Sequence, residues 1–160
     1  MKFRGSFLLL MAACSIAPAT SVHDDLIRHH ELMVAVDHAV AVIEARGSDG
    51  FKDLYAYRFC RGEGYVVITD MHGIVLFHPI FPQLAGKDQT LIRDSRGAYC
   101  YAEMKARYAR EESGWLSIWW PNPKTGQVDR KCIYFRRAVM GGMPVVVHAG
   151  LFGVADEGCR

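Results

Sequence analysis

The chain has 160 residues, 51% of them apolar, which suits one domain with a real hydrophobic core and excludes intrinsic disorder. Its 19 basic residues outnumber its 17 acidic ones by two. The excess equals Lys2 and Arg4 of a candidate leader, so the remainder is charge-balanced, which argues against nucleic acid as the main partner.

Residues 1–19 read as an export signal. Lys2 and Arg4 precede a short apolar run, Phe7-Leu8-Leu9-Leu10-Met11-Ala12-Ala13, which falls far below the ~20 residues needed to span a bilayer. Two processing sites compete. Ala17-Pro18-Ala19 has the small-x-small form of ordinary cleavage, leaving Thr20 first. Met11-Ala12-Ala13-Cys14 resembles a lipobox, which would remove residues 1–13 and lipidate Cys14. The expected location is periplasmic or secreted, or anchored through Cys14, with no transmembrane span in the mature chain.

Residues 23–57 form the expected helical segment. Leu26, Leu32, Val36, Ala39 and Ile43 recur near the helical period, with Asp24 as an N-cap candidate. Gly47-Ser48-Asp49-Gly50 ends the first helix over 23–46, and Phe51–Tyr57 suggests a second, short one. His23, His29, His30 and His38 lie on the long helix with no histidine pair at i, i+4 spacing, which favours a surface helix over a metal site.

Residues 58–155 form the expected mixed core, with 156–160 as a tail. Tyr65–Thr69 and Ile74–His78 flank the turn Asp70-Met71-His72-Gly73, a hairpin with glycine where a positive φ is needed. Pro79 and Pro82 stop it. Residues 83–97 read as a loop and Ala98–Arg110 as a crossover helix. Trp115–Trp120, Lys131–Ala138 and Val145–Phe152 complete an antiparallel sheet of about five strands, giving α+β order.

Strand alternation sorts the site candidates. Ile74, Leu76 and His78 share a face, as do Leu116, Ile118 and Trp120. Lys131, Ile133 and Phe135 share another, with Cys132 and Tyr134 opposite. Lys131 sits among apolar neighbours, where a bound carboxylate would supply a countercharge; a strand-end lysine with its head in water has the same sequence. His78 precedes Pro79, so its strand ends there and the ring points toward the crossover loop. Trp120 offers a flat wall or an ordinary core ring, and Tyr65 is a further candidate. Tyr134 offers a hydroxyl, but it reaches the same pocket as Lys131 only if the strand bulges.

Cys60, Cys100, Cys132 and Cys159 allow two disulfides with three possible connectivities, or thiols buried as small hydrophobes. They form no CxxC and no paired Cys/His spacing, so neither a zinc site nor attached haem is expected, and no cofactor is called for. No nucleophile, base and orienting group stand at catalytic spacing.

Four linked patterns, Gly64-Tyr65-Val66-Val67-Ile68-Thr69-Asp70-Met71-His72-Gly73, Val75-Leu76-Phe77-His78-Pro79 with Leu84-Ala85-Gly86-Lys87, Gly114-Trp115-Leu116-Ser117-Ile118-Trp119-Trp120-Pro121, and Lys131-Cys132-Ile133-Tyr134 with His148-Ala149-Gly150-Leu151-Phe152, resemble a single Cache domain of the second type. The resemblance spans roughly residues 25–155. It implies a PAS-like extracytoplasmic sensor fold, with a long N-terminal helix behind the sheet. It also implies a small-ligand cavity in which Lys131 pairs with a carboxylate, His78 and Tyr134 bond its oxygens, and Trp120 and Ile118 shape the apolar end. Most such domains adjoin a transmembrane segment and a signalling output. Without these, the expected role is a stand-alone monocarboxylate binder serving a membrane-bound signalling or transport partner. An interaction module with a filled cavity is the alternative, and a small periplasmic enzyme a more distant one.

Two positions depart from the family pattern. Ile118 stands where tyrosine is common, and His148 and Phe152 stand in a strand that commonly reads Gly-Ala-Gly-(Ile/Leu)-Tyr. The lost hydroxyls favour an alkyl-tailed acid such as propionate or butyrate, while His148 offers a replacement donor.

Overall fold

The computed structural model describes residues 22–154 and Cys159. Helix α1 runs from Val22 to Arg46, and Gly47 ends it with a φ of 59°. Its buried stripe is Leu32, Ala35, Val36, Ala39, Val40 and Ile43, an i, i+3, i+4 pattern facing the sheet. One helix expectation changes: Asp24 lies inside the first turn rather than capping it. Leu26 is 63% exposed, ahead of the buried apolar stripe that begins at Leu32. A short 3-10 turn, Gly47–Gly50, leads into α2, Phe51–Tyr55.

Strand β1, Val66–Asp70, and β2, Val75–Phe77, form the expected hairpin. The Asp70 carboxylate accepts the backbone N–H groups of His72 and Ile74, each at 2.8 Å, and Gly73 takes a φ of 95°. An Asx-type turn therefore fixes the reversal. Helix α3, Cys100–Tyr108, precedes β3, Ser113–Pro121, β4, Val128–Met140, and β5, Met143–Phe152. The sheet order is β2-β1-β5-β4-β3, all neighbours antiparallel. The last strand in sequence is thus the central one, which explains its run of Val145, Val146 and Val147 buried on both faces.

Two apolar clusters lie on opposite faces. The α1 stripe packs with Val66, Ile68, Phe77, Tyr134, Val145, Val147, Ala149 and Leu151. On the other face α3 contributes Cys100, Met104 and Tyr108 against Leu116, Ile118, Ile133, Phe135 and Val146. Alternation along β4 and β5 assigns these residues without exception, because the pairing runs unbroken from Lys131↔Phe152 to Met140↔Met143.

The segment from β2 to α3 crosses the second face. Its buried anchor is Asp94, whose Oδ1 accepts the N–H groups of Arg96 and Ala98 and whose Oδ2 accepts that of Trp119 at 3.1 Å. Burial pushes this carboxyl up, but the three backbone donors together outweigh it and hold it below the ordinary range. This knot fastens the crossover to edge strand β3 and sets the loop above the sheet.

Cys132 and Cys159 form a disulfide with Cα atoms 5.7 Å apart. Cys60 and Cys100 are buried free thiols belonging to the two opposite clusters, so the sheet separates them and the second of two allowed bridges does not form. The candidate leader, including Cys14, and most of the tail lie outside the described residues. If the Cys132–Cys159 bridge anchors the chain end, Cys159→Ser lowers unfolding free energy by about 2–4 kcal/mol. Urea denaturation with and without a dithiol reductant measures this, and the reductant is expected to shift the parent protein but not the variant.

Candidate functional site

Between the second sheet face and the crossover lies a cavity of about 210 Å³. Its floor is Val67, Ile118, Ile133, His148, Ala149 and Gly150; Tyr65, His78 and Trp120 contribute walls, and Phe81, Gln89, Ile92 and Tyr101 cover it. A wider hollow of about 370 Å³ adjoins it, bordered by Glu63, Asn122, Lys124 and Phe152. Tyr65, Phe81, Trp120, Lys131 and Gly150 line both spaces, so Lys131 stands at the junction. The Lys124 ammonium, followed by Arg28, holds the rim carboxyl of Glu63 below its usual range, although burial opposes this.

Lys131 enters the site because β4 alternation turns it to the cavity face. Gly150, one strand over and opposite Ile133, makes room for it. A Cβ at Gly150 would meet Lys131 Cε at 2.7 Å, so the aliphatic stem lies where a side chain would otherwise stand. Its Nζ lies 5.4 Å from the ring centroids of both Tyr65 and Phe152. No carboxylate among the described residues pairs with it. Burial lowers its pKa from 10.5 to about 8, and the two ring faces offer only partial compensation.

His78 closes one wall. Its Nδ1 accepts the backbone N–H of Ile80 at 3.3 Å and of Phe81 at 3.0 Å, after the strand ends at Pro79. Those donors require an unprotonated Nδ1, so the neutral ring carries its hydrogen on Nε2. Burial and then the nearby Lys131 charge lower its pKa to about 4, so it is a neutral donor at physiological pH. The ring packs 5.3 Å from both Tyr65 and Phe81. Burial raises the hydroxyl pKa values of Tyr65 and Tyr101, which keeps both protonated. The arrangement is one ammonium and several neutral hydrogen-bonding groups in an otherwise apolar, aromatic chamber, suited to holding a small anion.

The family model whose description is "Cache domain" matches residues 51–149. The chain belongs to the Cache domain family. Cache domains are extracytoplasmic ligand-binding sensor modules, and the α+β fold described above is theirs. Among solved structures, one reported for carboxylic acid recognition by a Cache chemosensory domain superposes with a TM-score of 0.64 at 24% identity, covering 82% of this chain and 99% of that one. A methyl-accepting chemotaxis protein from Vibrio parahaemolyticus RIMD 2210633 gives 0.63 at 22% identity, covering 82% and 95%. The periplasmic sensor domain of a chemotaxis protein gives 0.60 at 25% identity, covering 81% and 93%.

The Cache cavity brings together Tyr65, His78, Ile118, Trp120 and Lys131 from the sequence candidates. Tyr134 is not among them. It faces α1, with its ring 4.8 Å from Trp115, because β4 runs without the bulge that would have turned it. Gln89, Phe81 and Tyr101 were not sequence candidates: the first two sit on loop segments with no period that marks their direction, and Tyr101 lies in the first turn of α3, whose period does not say which cavity its flank meets. The His148-Ala149-Gly150 pattern did signal Gly150, though not its role beneath Lys131.

One further donor cluster stands on the opposite face. His29 is half-buried; it meets Trp115 edge-on at 5.0 Å and places Nε2 3.9 Å from the sulfurs of Cys132 and Cys159. With the disulfide closed, those sulfurs are not thiolates and do not serve as strong metal ligands. The described helices include none long and apolar enough to cross a membrane.

The depressed Lys131 pKa fixes a pH signature. In the free protein this lysine is protonated below about 8, whereas an exposed lysine holds its proton to 10.5. The unfolded chain binds the extra proton between those values, so the Lys131 contribution makes stability rise with pH across that window. A bound carboxylate raises the lysine pKa, so affinity is expected to stay level from pH 6 to 7. Above the free-protein value it falls by roughly tenfold per pH unit. Calorimetric titration between pH 6 and 10 tests this, and an affinity independent of pH across 8–10 would remove Lys131 from the ligand contact.

Proposed function

We propose that this Cache domain is exported and binds a small organic anion, a monocarboxylate, as a ligand-sensing or solute-binding protein. The observation that carries the proposal is the Lys131 ammonium in an aromatic cavity, unpaired with any described carboxylate. A carboxylate beside Nζ supplies the missing countercharge, and its charge-assisted hydrogen bonds are shorter and stronger than neutral ones. The His78 Nε2–H gives a second donor, with the Tyr65 hydroxyl nearby. Ile118, Ile133 and Trp120 surround the rest of the molecule. A cavity of about 210 Å³ fits an acid of a few heavy atoms rather than a large metabolite. The carboxylic acid recognition reported for the similar chemosensory domain agrees with this reading.

The role is binding rather than catalysis, because the cavity groups pair and enclose an anion without an activated nucleophile. Output passes to a partner, which we place in a membrane-bound signalling or transport system. Val22, Leu26, Ile27, Met33 and Val34 are exposed along the first part of α1, and such apolar exposure supports a protein contact as a second activity of the same chain.

A thermal-shift screen against acetate, propionate, lactate and pyruvate tests the anion site. Ligand at ~100 times its Kd adds about 2.7 kcal/mol, or roughly 5–10 °C for a domain of this size. Lys131→Met is expected to weaken binding on the order of 30-fold or more. Tyr134→Phe, altered in the core on the opposite face, leaves affinity within about twofold of the parent, as changes at a separate site with no shared partners do. No shift with any anion in a folded protein, or equal loss in both variants, rejects the site.

A further inference from the structure

The floor of the cavity holds a polar group that the carboxylate contact does not use. His148 lies on the central strand β5, paired with Phe135 on β4 and Val67 on β1. It is 4% exposed, lines the cavity and packs edge-on against Tyr101 at 6.1 Å. Its Nε2 is fully buried without a hydrogen-bond partner among the described residues. Buried polar nitrogens are satisfied in the great majority of proteins, so an orphan beside a ligand cavity calls for a partner. The imidazole χ2 torsion is soft, and a turn of the ring presents this nitrogen to the cavity.

We propose that His148 holds a second polar oxygen of the ligand, so the bound molecule is a short monocarboxylate with a neutral hydroxyl or oxo group, not a plain alkyl acid. This rests on the carboxylate site at Lys131 proposed above. Charge decides between the kinds of second group. The described groups facing His148 are Lys131, His78, Tyr65 and Tyr101, of which only Lys131 carries a charge near neutrality. Burial, then Lys131, then His78 lower the pKa of His148 to about 3, so its ring is neutral. One ammonium balances one carboxylate, and a second carboxylate would remain uncompensated in a poorly solvated chamber. A hydroxyl or oxo oxygen needs no countercharge and uses the imidazole N–H. A hydroxyl can use the imidazole lone pair instead. The alkyl preference expected from Ile118 gives way here, because both residues lie in the floor and His148 carries a buried nitrogen that a plain alkyl chain leaves unpaired.

Isothermal titration of the purified protein at pH 7 with propionate, lactate, pyruvate and succinate tests the assignment. The expected order places lactate or pyruvate at least about tenfold tighter than propionate, the penalty for leaving a buried polar group unpaired, with succinate weakest. His148→Leu should reduce that preference to within about twofold while propionate still binds, and His148→Gln, which keeps a donor and an acceptor, should restore part of it. Circular dichroism confirms folding of both variants. Equal binding of propionate and lactate, with Lys131→Met still weakening both, overturns the role of His148 and leaves the carboxylate site standing. A preference that survives in His148→Leu also overturns it. Failure of all four acids to bind overturns both proposals.

Discussion

The unbroken β4–β5 pairing is the constraint on which the rest of the molecule depends. With no bulge between Lys131↔Phe152 and Met140↔Met143, each residue of the two strands has a fixed face. A one-residue slip would exchange the apolar stripe under α1 for the cavity floor and send Lys131 into the helix-side core. Both layers reinforce the same register. Val145 and Val147 on β5 fill the α1 side, while Gly150 opposite Ile133 leaves room for the lysine stem on the other. The Asp94 knot then adds the cover, by tying the crossover to the far edge strand.

Placing an ammonium in this chamber shapes the surrounding electrostatics. Burial alone lowers Lys131, and its field contributes to keeping His78 and His148 neutral. A chamber built from one cation and neutral donors accepts a single negative charge at low cost and resists a second. The same residues in a wetter groove would be screened and would discriminate far less. On the proposed reading, selectivity is therefore a property of burial as much as of residue type.

Much of this was legible in the sequence for physical reasons that can be named. The long α1, the Asx-turn hairpin and the final strands carry strong periodicity or turn chemistry, and their positions shift by only a few residues. Alternation correctly placed Tyr134 opposite Lys131, and the competing expectation that both touch one ligand yielded to it. Leu26 marked the helix by its spacing, but spacing alone does not tell whether another element covers the residue, and here it stays exposed. His29 is partly covered on its helix, since Trp115 and the Cys132–Cys159 pair, distant in sequence, pack against it. The cysteine pairing required knowing which thiols share a side of the sheet. Gln89 was invisible because Asp94 hydrogen bonds, rather than a repeating pattern, fasten the crossover, and Tyr101 because the placement of α3 over the cavity follows from that same fastening.

The disulfide has a topological consequence. Residues 132–159 form a covalent ring that contains Ile133, His148, Ala149 and Gly150, with Lys131 directly outside its closure. Even when the chain is unfolded, the β4 and β5 residues of the chamber floor remain parts of one short loop, with Lys131 next to its closure. The entropy needed to reunite β4 with β5 is thereby reduced. The β4–β5 half of the chamber floor is written into a macrocycle, while the helix behind it, its remaining walls and the cover above it must assemble from free chain.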